Sequence, residues 1–322
     1  MEYRPLGATG IRVSIIGFGS WGIGGLTPGP TSYGETDDAV SRRAISQALY
    51  EGINFFDTSS VYGDGHSESL LGEAFAGQRD RVVIATKGGI QPAYAGYDFT
   101  AQALRTSLEG SLRRLRTDYL DVFQLHNASA AVVQSLSHLG EVLTRFKEEG
   151  KVRAFGFSTP TPEDAVALVD FPGTASLQVN WNMLDWRAQE SGLFDRAAAK
   201  GIGIIARTPL AFGFLTGQFT AGTVFDSSDH RSRWSAEKIA AWTDATDDLF
   251  LALGTGQSSA DNAATALRFC VSFDSVATVI PGMITPDEVH ANAAASRKGP
   301  LTADEIRCVN AVYRKHGVRL RA

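Results

Sequence analysis

Residues 54–63 read Asn54-Phe55-Phe56-Asp57-Thr58-Ser59-Ser60-Val61-Tyr62-Gly63: a short apolar run closed by an acid, then a hydroxyl-rich turn, a phenol and a glycine. An apolar run of this length, bounded by turn residues, has the form of a buried strand. The same form recurs at Val13 to Gly19, Val82 to Lys87, Asp121 to His126, Val152 to Ser158, Ser176 to Asn180, Gly203 to Arg207 and Val276 to Pro281. With Asn54 to Asp57 these make eight runs, and all but the last stand about 20 to 40 residues apart, the size of one βα unit. Between them, Leu104, Leu108, Leu112 and Leu115, and likewise Val40, Ala44, Ala48 and Leu49, share single helical faces. The pattern predicts an α/β fold, a (β/α)8 TIM barrel that occupies residues 1–322 as one domain.

Four segments fall outside the repeat. Tyr3 to Leu6 and Ile11 to Val13 flank Gly7-Ala8-Thr9-Gly10, which predicts an N-terminal β-hairpin that plugs the barrel bottom. The long interval from Gly213 to Ser258 is rich in Gly, Ser, Thr, Asp and Phe and reads as an elaborated active-site loop. Asp287 to Ser296 and Asp304 to Lys315 read as extra C-terminal helices. Gly17-Phe18-Gly19-Ser20-Trp21-Gly22 fits the G-x-G-x-x-G pattern of doubly wound dinucleotide folds, but that motif requires a helix to open at its end. Ile23-Gly24-Gly25-Leu26-Thr27-Pro28-Gly29-Pro30 follows, which cannot be a helix. These glycines read instead as a loop that lies flat beside a ligand.

The 322 residues carry 30 Lys+Arg against 35 Asp+Glu, a net charge of −5 that excludes a basic nucleic-acid footprint. Apolar residues make up 43% and charged residues 20%, enough for a large core. Two cysteines are too few for a disulfide framework or a zinc cluster. Arg4 and Pro5 interrupt any signal-like N-terminus, and no stretch has the length and apolarity of a membrane span. A cytoplasmic protein with no nucleic-acid or membrane partner is expected. No long exposed apolar segment demands a protein partner.

Asp57 and Tyr62, Lys87, and His126 stand at or just past the ends of three successive predicted strands. In a barrel those ends open into one mouth. Each alone has a bland reading: a turn acid, a half-buried aromatic, a solvated lysine, a core histidine. Four at one layer make coincidence improbable, and together they form a proton donor. A phenol has a pKa of about 10, and a neighbouring ammonium favours its ionised form. Lys87, held by Asp57, would lower Tyr62, while neutral His126 could donate a hydrogen bond to a carbonyl oxygen.

At these residues the chain resembles the aldo-keto reductase superfamily over nearly its whole length. The resemblance is carried by Gly17 to Trp21, Asp57 to Gly63, Glu68-Ser69-Leu70-Leu71-Gly72, Ala85-Thr86-Lys87, Gln124-Leu125-His126, Gly156-Phe157-Ser158, Gln178-Val179-Asn180, Pro209-Leu210-Ala211 and Ile280-Pro281-Gly282. It implies a nicotinamide cofactor and a catalytic tetrad of Asp57, Tyr62, Lys87 and His126. It implies further that Ser158 and Gln178 bond the nicotinamide amide, and that Gly19, Ser20 and Trp21 approach the ribose. Arg207 stands where many relatives stack a tyrosine on the ring. Thr208, Pro209, Leu210, Ala211, Gly213 and Gly217 would follow the pyrophosphate, and Ile280, Gly282, Met283, Thr285, Glu288 and Asn292 would surround the adenosine end. NADP(H) is the family expectation. NAD(H) is the serious alternative, because few basic residues follow Ile280-Pro281.

Substrate contacts are expected from Trp21, Tyr94, Asn127, Arg231 and Trp234, with Trp181, Phe212, Phe214 and Arg233 nearby. Arg231 and Arg233 read either as a clamp for a carboxylate or phosphate or as solvated loop charge. The resemblance implies reduction of an aldehyde or ketone, sugar-like on the strength of Asn127, with Tyr62 as acid. The alternatives are an NAD-dependent aldose or alcohol dehydrogenase running the same chemistry backwards, and a redox-sensing binding subunit. No metal is expected.

Overall fold

The computed structural model describes residues 1–27, 31–256 and 258–320. Eight parallel strands form the barrel: β3 (Phe18–Gly19), β4 (Phe55–Asp57), β5 (Val83–Gly88), β6 (Leu120–His126), β7 (Val152–Ser158), β8 (Ser176–Asn180), β9 (Gly203–Arg207) and β10 (Val276–Ile280). They pair in chain order, and the first closes on the last through parallel bridges Ile16 to Val279 and Gly19 to Gly282. Gly19 is required at that seam, since a Cβ there would meet the carbonyl oxygens of Ile280 and Pro281 at 2.8 Å.

Twelve helices accompany the strands among the described residues. They are α1 (Asp38–Tyr50), α2 (His66–Ala74), α3 (Ala101–Arg114), α4 (Ala130–Ser135), α5 (Leu139–Glu148), α6 (Pro162–Leu168), α7 (Arg187–Glu190), α8 (Leu193–Ala199), α9 (Ala236–Leu253), α10 (Ser259–Val271), α11 (Pro286–Ala294) and α12 (Ala303–Leu320). The predicted helical faces are the ones turned inward: Leu104, Leu108 and Leu115 are buried, as are Ala44 and Ala48. None of the described helices is long and apolar enough to cross a membrane.

Two apolar layers follow from the period-2 alternation of the strands. Outward residues such as Phe56, Ile84, Phe123 and Ile204 meet the helices in one large core. Inward residues Phe55, Val83, Ala85, Val122, Ala154, Ile205 and Ala277 fill the barrel interior. That interior layer is completed from below by Leu6, Ile11 and Val13 of the hairpin formed by β1 (Tyr3–Pro5) and β2 (Arg12–Ser14). One or two positions further along the same inward rows, the strands switch to polar residues: Asp57, Lys87, Gln124 and His126, Ser158, Gln178 and Arg207. The alternation that builds the core therefore also delivers the polar ring at the barrel mouth.

Three expectations are corrected. Val13 to Gly19 is two pieces, because Arg12–Ser14 belongs to the hairpin and Phe18–Gly19 is the strand that pairs with β4; between them Ile16 bridges to Val279 and the Gly17 amide donates to the Val279 carbonyl at 2.8 Å. Gly213 to Ser258 is not all loop. Its second half is α9, capped by Ser235, whose side chain accepts from the Lys238 amide, and buried through Ile239, Ala245, Leu249 and Phe250. Its polar composition hid a face that packs on α12 and on the 211–216 turn. The glycine-rich stretch after Trp21 contains one 3₁₀ turn, Gly22–Gly24, while Pro28-Gly29-Pro30 lies outside the described residues.

The hairpin plug has a thermodynamic consequence. Leu6 is fully buried among strand residues. Leu6→Ala leaves a cavity that no helix can move to fill, and urea unfolding of that variant should show a loss of about 2–5 kcal/mol.

Candidate active site

Asp57 and Lys87 form a buried ion pair at the barrel mouth, Nζ to Oδ2 2.5 Å, with Lys87 fully buried. Burying two charges is costly unless every remaining donor and acceptor is satisfied, and here they are. Lys87 Nζ also donates to the Thr58 carbonyl at 2.9 Å and to Tyr62 Oη at 3.2 Å. Asp57 Oδ1 accepts from Gln178 Nε2 at 2.7 Å and from Gln124 Nε2 at 3.3 Å. Strands β4, β5, β6 and β8 are thus tied through one carboxylate. Gln124 was quoted in the sequence only as part of a motif, and its side-chain role is visible only once β6 faces β4 across the barrel.

Tyr62 opens a 3₁₀ turn, Tyr62–Gly65, whose Gly63 backbone touches Gly24 so closely that a Cβ would meet its carbonyl oxygen. That contact holds the phenol over Lys87 and beside His126, the rings meeting edge to face at 5.9 Å. Burial raises the Tyr62 phenol well above its ordinary value; the Asp57 carboxylate adds to the rise, and the Arg207 guanidinium opposes it. The expected acidification by Lys87 is corrected accordingly, since its charge is already matched by Asp57. Lys87 is itself lowered by burial, against the pull of Asp57. His126 is held well below its ordinary value by burial, then by Lys87 and Arg207, so its imidazole is neutral.

These side chains stand in a cleft of about 720 Å³ that runs from Tyr62 and His126 past Arg207 to Leu210 and Gly213 on one side and Gly282 and Glu288 on the other. Of the residues predicted for a cofactor, Gly19, Ser20, Trp21, Asp57, Gln178, Arg207, Thr208, Pro209, Leu210, Gly213, Ile280, Gly282 and Glu288 line it. Ser158 lies just beneath, fully buried, its Oγ donating to Gln178 Oε1 at 3.4 Å. Ala211 and Met283 are buried in the core, Gly217 packs on Asn262, and Asn292 is buried on α11. Thr285 caps α11 in a capping box with Glu288. Lys87 sits below the cleft floor.

Two guanidiniums reach the cleft in opposite electrostatic states. Arg231 is clamped by Asp229, Nη2 to Oδ2 2.6 Å, and donates to the Phe212 carbonyl at 2.9 Å. Arg207 has no carboxylate partner within ion-pair distance among the described residues. Its Nη2 donates to the Thr159 carbonyl at 2.9 Å and its Nη1 to Asn127 Oδ1 at 3.3 Å, while Nε is buried and unpartnered. An orphaned buried donor on a planar cation costs free energy. The planar guanidinium and the elongated lining fit a ligand with a flat aromatic head and a tail.

Of the predicted substrate contacts, Trp21, Tyr94, Asn127 and Arg231 line the cleft, joined by Tyr33, Tyr97 and Phe212. Asn127 adopts a left-handed backbone at φ 50 and spends its oxygen on Arg207. Trp234 lies behind Phe212, packed on Trp242 and not among the cleft-lining residues. Trp181 is fully buried against Trp186, Phe194 and Phe269. Arg233 is exposed and is not among the cleft-lining residues. No cluster of His, Cys, Asp and Glu among the described residues could hold a metal ion.

The profile of the aldo/keto reductase family matches residues 15–314. L-galactose dehydrogenase of Arabidopsis thaliana is 36% identical over 226 residues, 68% of this chain and 68% of that protein. NADH-specific methylglyoxal reductase of Escherichia coli K12 is 28% identical over 92% of this chain and 93% of that protein. The holo form of an aldo-keto reductase from Bacillus halodurans superposes with a TM-score of 0.80 at 27% identity, covering 97% of this chain and 96% of that one. With its barrel, its polar mouth and these similarities, the chain belongs to the aldo/keto reductase family.

Proposed function

We propose that this oxidoreductase reduces a small uncharged aldehyde or ketone, hydroxylated or sugar-like, to an alcohol, with Tyr62 as proton donor and NADH as cofactor. The observation that carries the reading is the direction of one hydrogen bond. Lys87 Nζ donates to Tyr62 Oη, so the phenolic hydrogen is left to point elsewhere, and the cleft is where Tyr62 is exposed. A carbonyl oxygen placed there receives hydrogen bonds from Tyr62 and from neutral His126. As negative charge grows on that oxygen the phenol yields its proton, and the resulting phenolate is met by Lys87 and Arg207. When bound, a reduced nicotinamide would supply the hydride, hydrogen and electron pair together, that the carbonyl carbon accepts.

Arg207, with its flat guanidinium at the cleft, is suited to lie against an aromatic ring. An uncompensated cation there disfavours a positively charged oxidised ring, which supports reduction over the reverse reaction. Leu210 and Gly213 would hold the pyrophosphate. The far end supports NADH over the NADPH of the family expectation. Glu288 faces the cleft there, its carboxylate accepting from the Ile284 and Thr285 amides at 2.7 and 3.1 Å. The nearest later cations are engaged elsewhere, Arg297 with Glu51 and Lys298 with Asp261. A 2′-phosphate would meet a carboxylate and no basic partner, whereas a free ribose hydroxyl can donate to one. A relative named for its NADH specificity points the same way.

Arg231 is neutralised by Asp229 and therefore offers little to a carboxylate or phosphate, so the clamp reading yields to an uncharged substrate. The aromatic faces of Trp21, Tyr33 and Tyr94 and the hydroxyls beside them suit a hydroxylated carbonyl compound.

Steady-state reduction of an aldehyde, ketone and aldose panel tests the whole reading. Tyr62→Phe should lower kcat by a factor on the order of 10² to 10⁴ with the NADH dissociation constant unchanged; an active variant would remove Tyr62 from its role. Arg207→Ala should narrow the ratio of NAD+ to NADH dissociation constants, read by fluorescence titration. The neutral imidazole of His126 also sets a pH dependence. Its folded-state pKa is depressed, so the unfolded chain binds a proton that the folded chain excludes below about pH 6.5. Stability is complete above that value and falls on acidification. His230, lowered to about 4 by burial, adds the same slope to any variant that keeps it. His126→Gln should therefore show a shallower fall of Tm between about pH 7 and 5 than the unsubstituted protein.

A further inference from the structure

Ser59 stands two residues past β4, fully buried, and its Oγ lies 3.0 Å from His126 Nδ1. The two residues are 67 positions apart and meet only because β4 and β6 open into the same mouth. The other polar neighbour of that oxygen is the Val61 amide at 3.5 Å, which can only donate to it. Among the described residues the Ser59 hydroxyl hydrogen therefore has one acceptor, the imidazole Nδ1. We propose that Ser59 is a positioning residue that fixes His126 in the tautomer protonated at Nε2, so that the ring presents an N–H donor to the cleft.

The opposite arrangement is disfavoured by the same contacts. If Nδ1 carried the hydrogen and donated to Ser59, the buried serine hydroxyl hydrogen would be left with no acceptor among the described residues. Nε2 would then show a lone pair to the cleft and repel a carbonyl oxygen. His126 is neutral, so the choice between tautomers is a choice between a donor and an acceptor at the reacting oxygen. The hydrogen bond also pins the ring against rotation, holding its edge toward Tyr62. Ser59 touches neither substrate nor cofactor in this scheme and acts through His126. The use made of the donor rests on the carbonyl-reduction reading; the tautomer does not.

Protein labelled with 15N-histidine decides the matter by long-range nitrogen–proton correlation, the His126 signals being those absent from His126→Gln. The expected result is a single Nε2–H tautomer in the unsubstituted protein, a mixture of both tautomers in Ser59→Ala, and a return to the single form in Ser59→Thr. Ser59→Ala should also lower kcat by about tenfold, a modest part of a general-acid contribution, with NADH affinity unchanged and activity recovered in Ser59→Thr. An Nδ1–H tautomer in the unsubstituted protein, an unaltered spectrum in Ser59→Ala, or an unaltered kcat in that variant each overturns the proposal. Absence of turnover with every carbonyl would sink the reductase reading, while the spectrum of the unsubstituted protein would still accept or reject Ser59.

Discussion

The buried contact between Lys87 and Asp57 is the constraint on which the rest of the mouth depends. Two opposite charges taken out of water at 2.5 Å are tolerable only if their remaining hydrogen-bonding capacity is filled. Thr58 and Tyr62 complete the ammonium, and Gln124 and Gln178 complete the carboxylate. Each of those partners is held by the demand for satisfaction, so strand register and side-chain direction are coupled. A slip of one residue in β5 would turn Lys87 into the helix layer and Thr86 into the barrel, leaving a carboxylate unpaired. The pair does not need to stabilise the fold to define it.

From that centre outward, the mouth is graded in charge. Burial raises the phenol of Tyr62, with Asp57 adding to the rise, and burial keeps His126 uncharged, with Lys87 and Arg207 adding to that fall. Arg207 has no carboxylate within ion-pair distance among the described residues, and its buried Nε has no hydrogen-bond partner. Arg231 has been neutralised by Asp229 two residues before it. One guanidinium is thus left without a carboxylate at the cleft, while the other serves as a wall, stacked against Tyr33, Phe219 and Phe225.

The behaviour of the loop after β9 follows from the same economy of contacts. Thr208, Ala211 and Phe212 all carry positive φ values, conformations that cost of order 1–3 kcal/mol each and persist only where surroundings impose them. Arg231 donating to the Phe212 carbonyl is one such imposition, and Trp234 behind the Phe212 ring is another. Strain in this turn brings Leu210 and Gly213 to the cleft edge.

Much of this was legible in the chain itself. The eight apolar runs, the helical faces of α1 and α3, the hairpin, and the polar residues at the strand ends are all local patterns. Period 2 and period 3.6 are properties of consecutive residues, and they persist wherever the chain folds. What the tertiary structure alone decided are relations between distant residues. Gln124 and Gln178 converge on Asp57, Ser59 meets His126, Arg207 borrows Asn127, and Trp181 and Trp234 turn away from the cleft into aromatic clusters. Helix α9 belongs with these, because its buried face is defined by α12 and the 211–216 turn, which are distant in the chain. Barrel closure sets those directions, since which side chains meet across the mouth depends on strand register and tilt summed around the whole ring, and no single segment contains that sum.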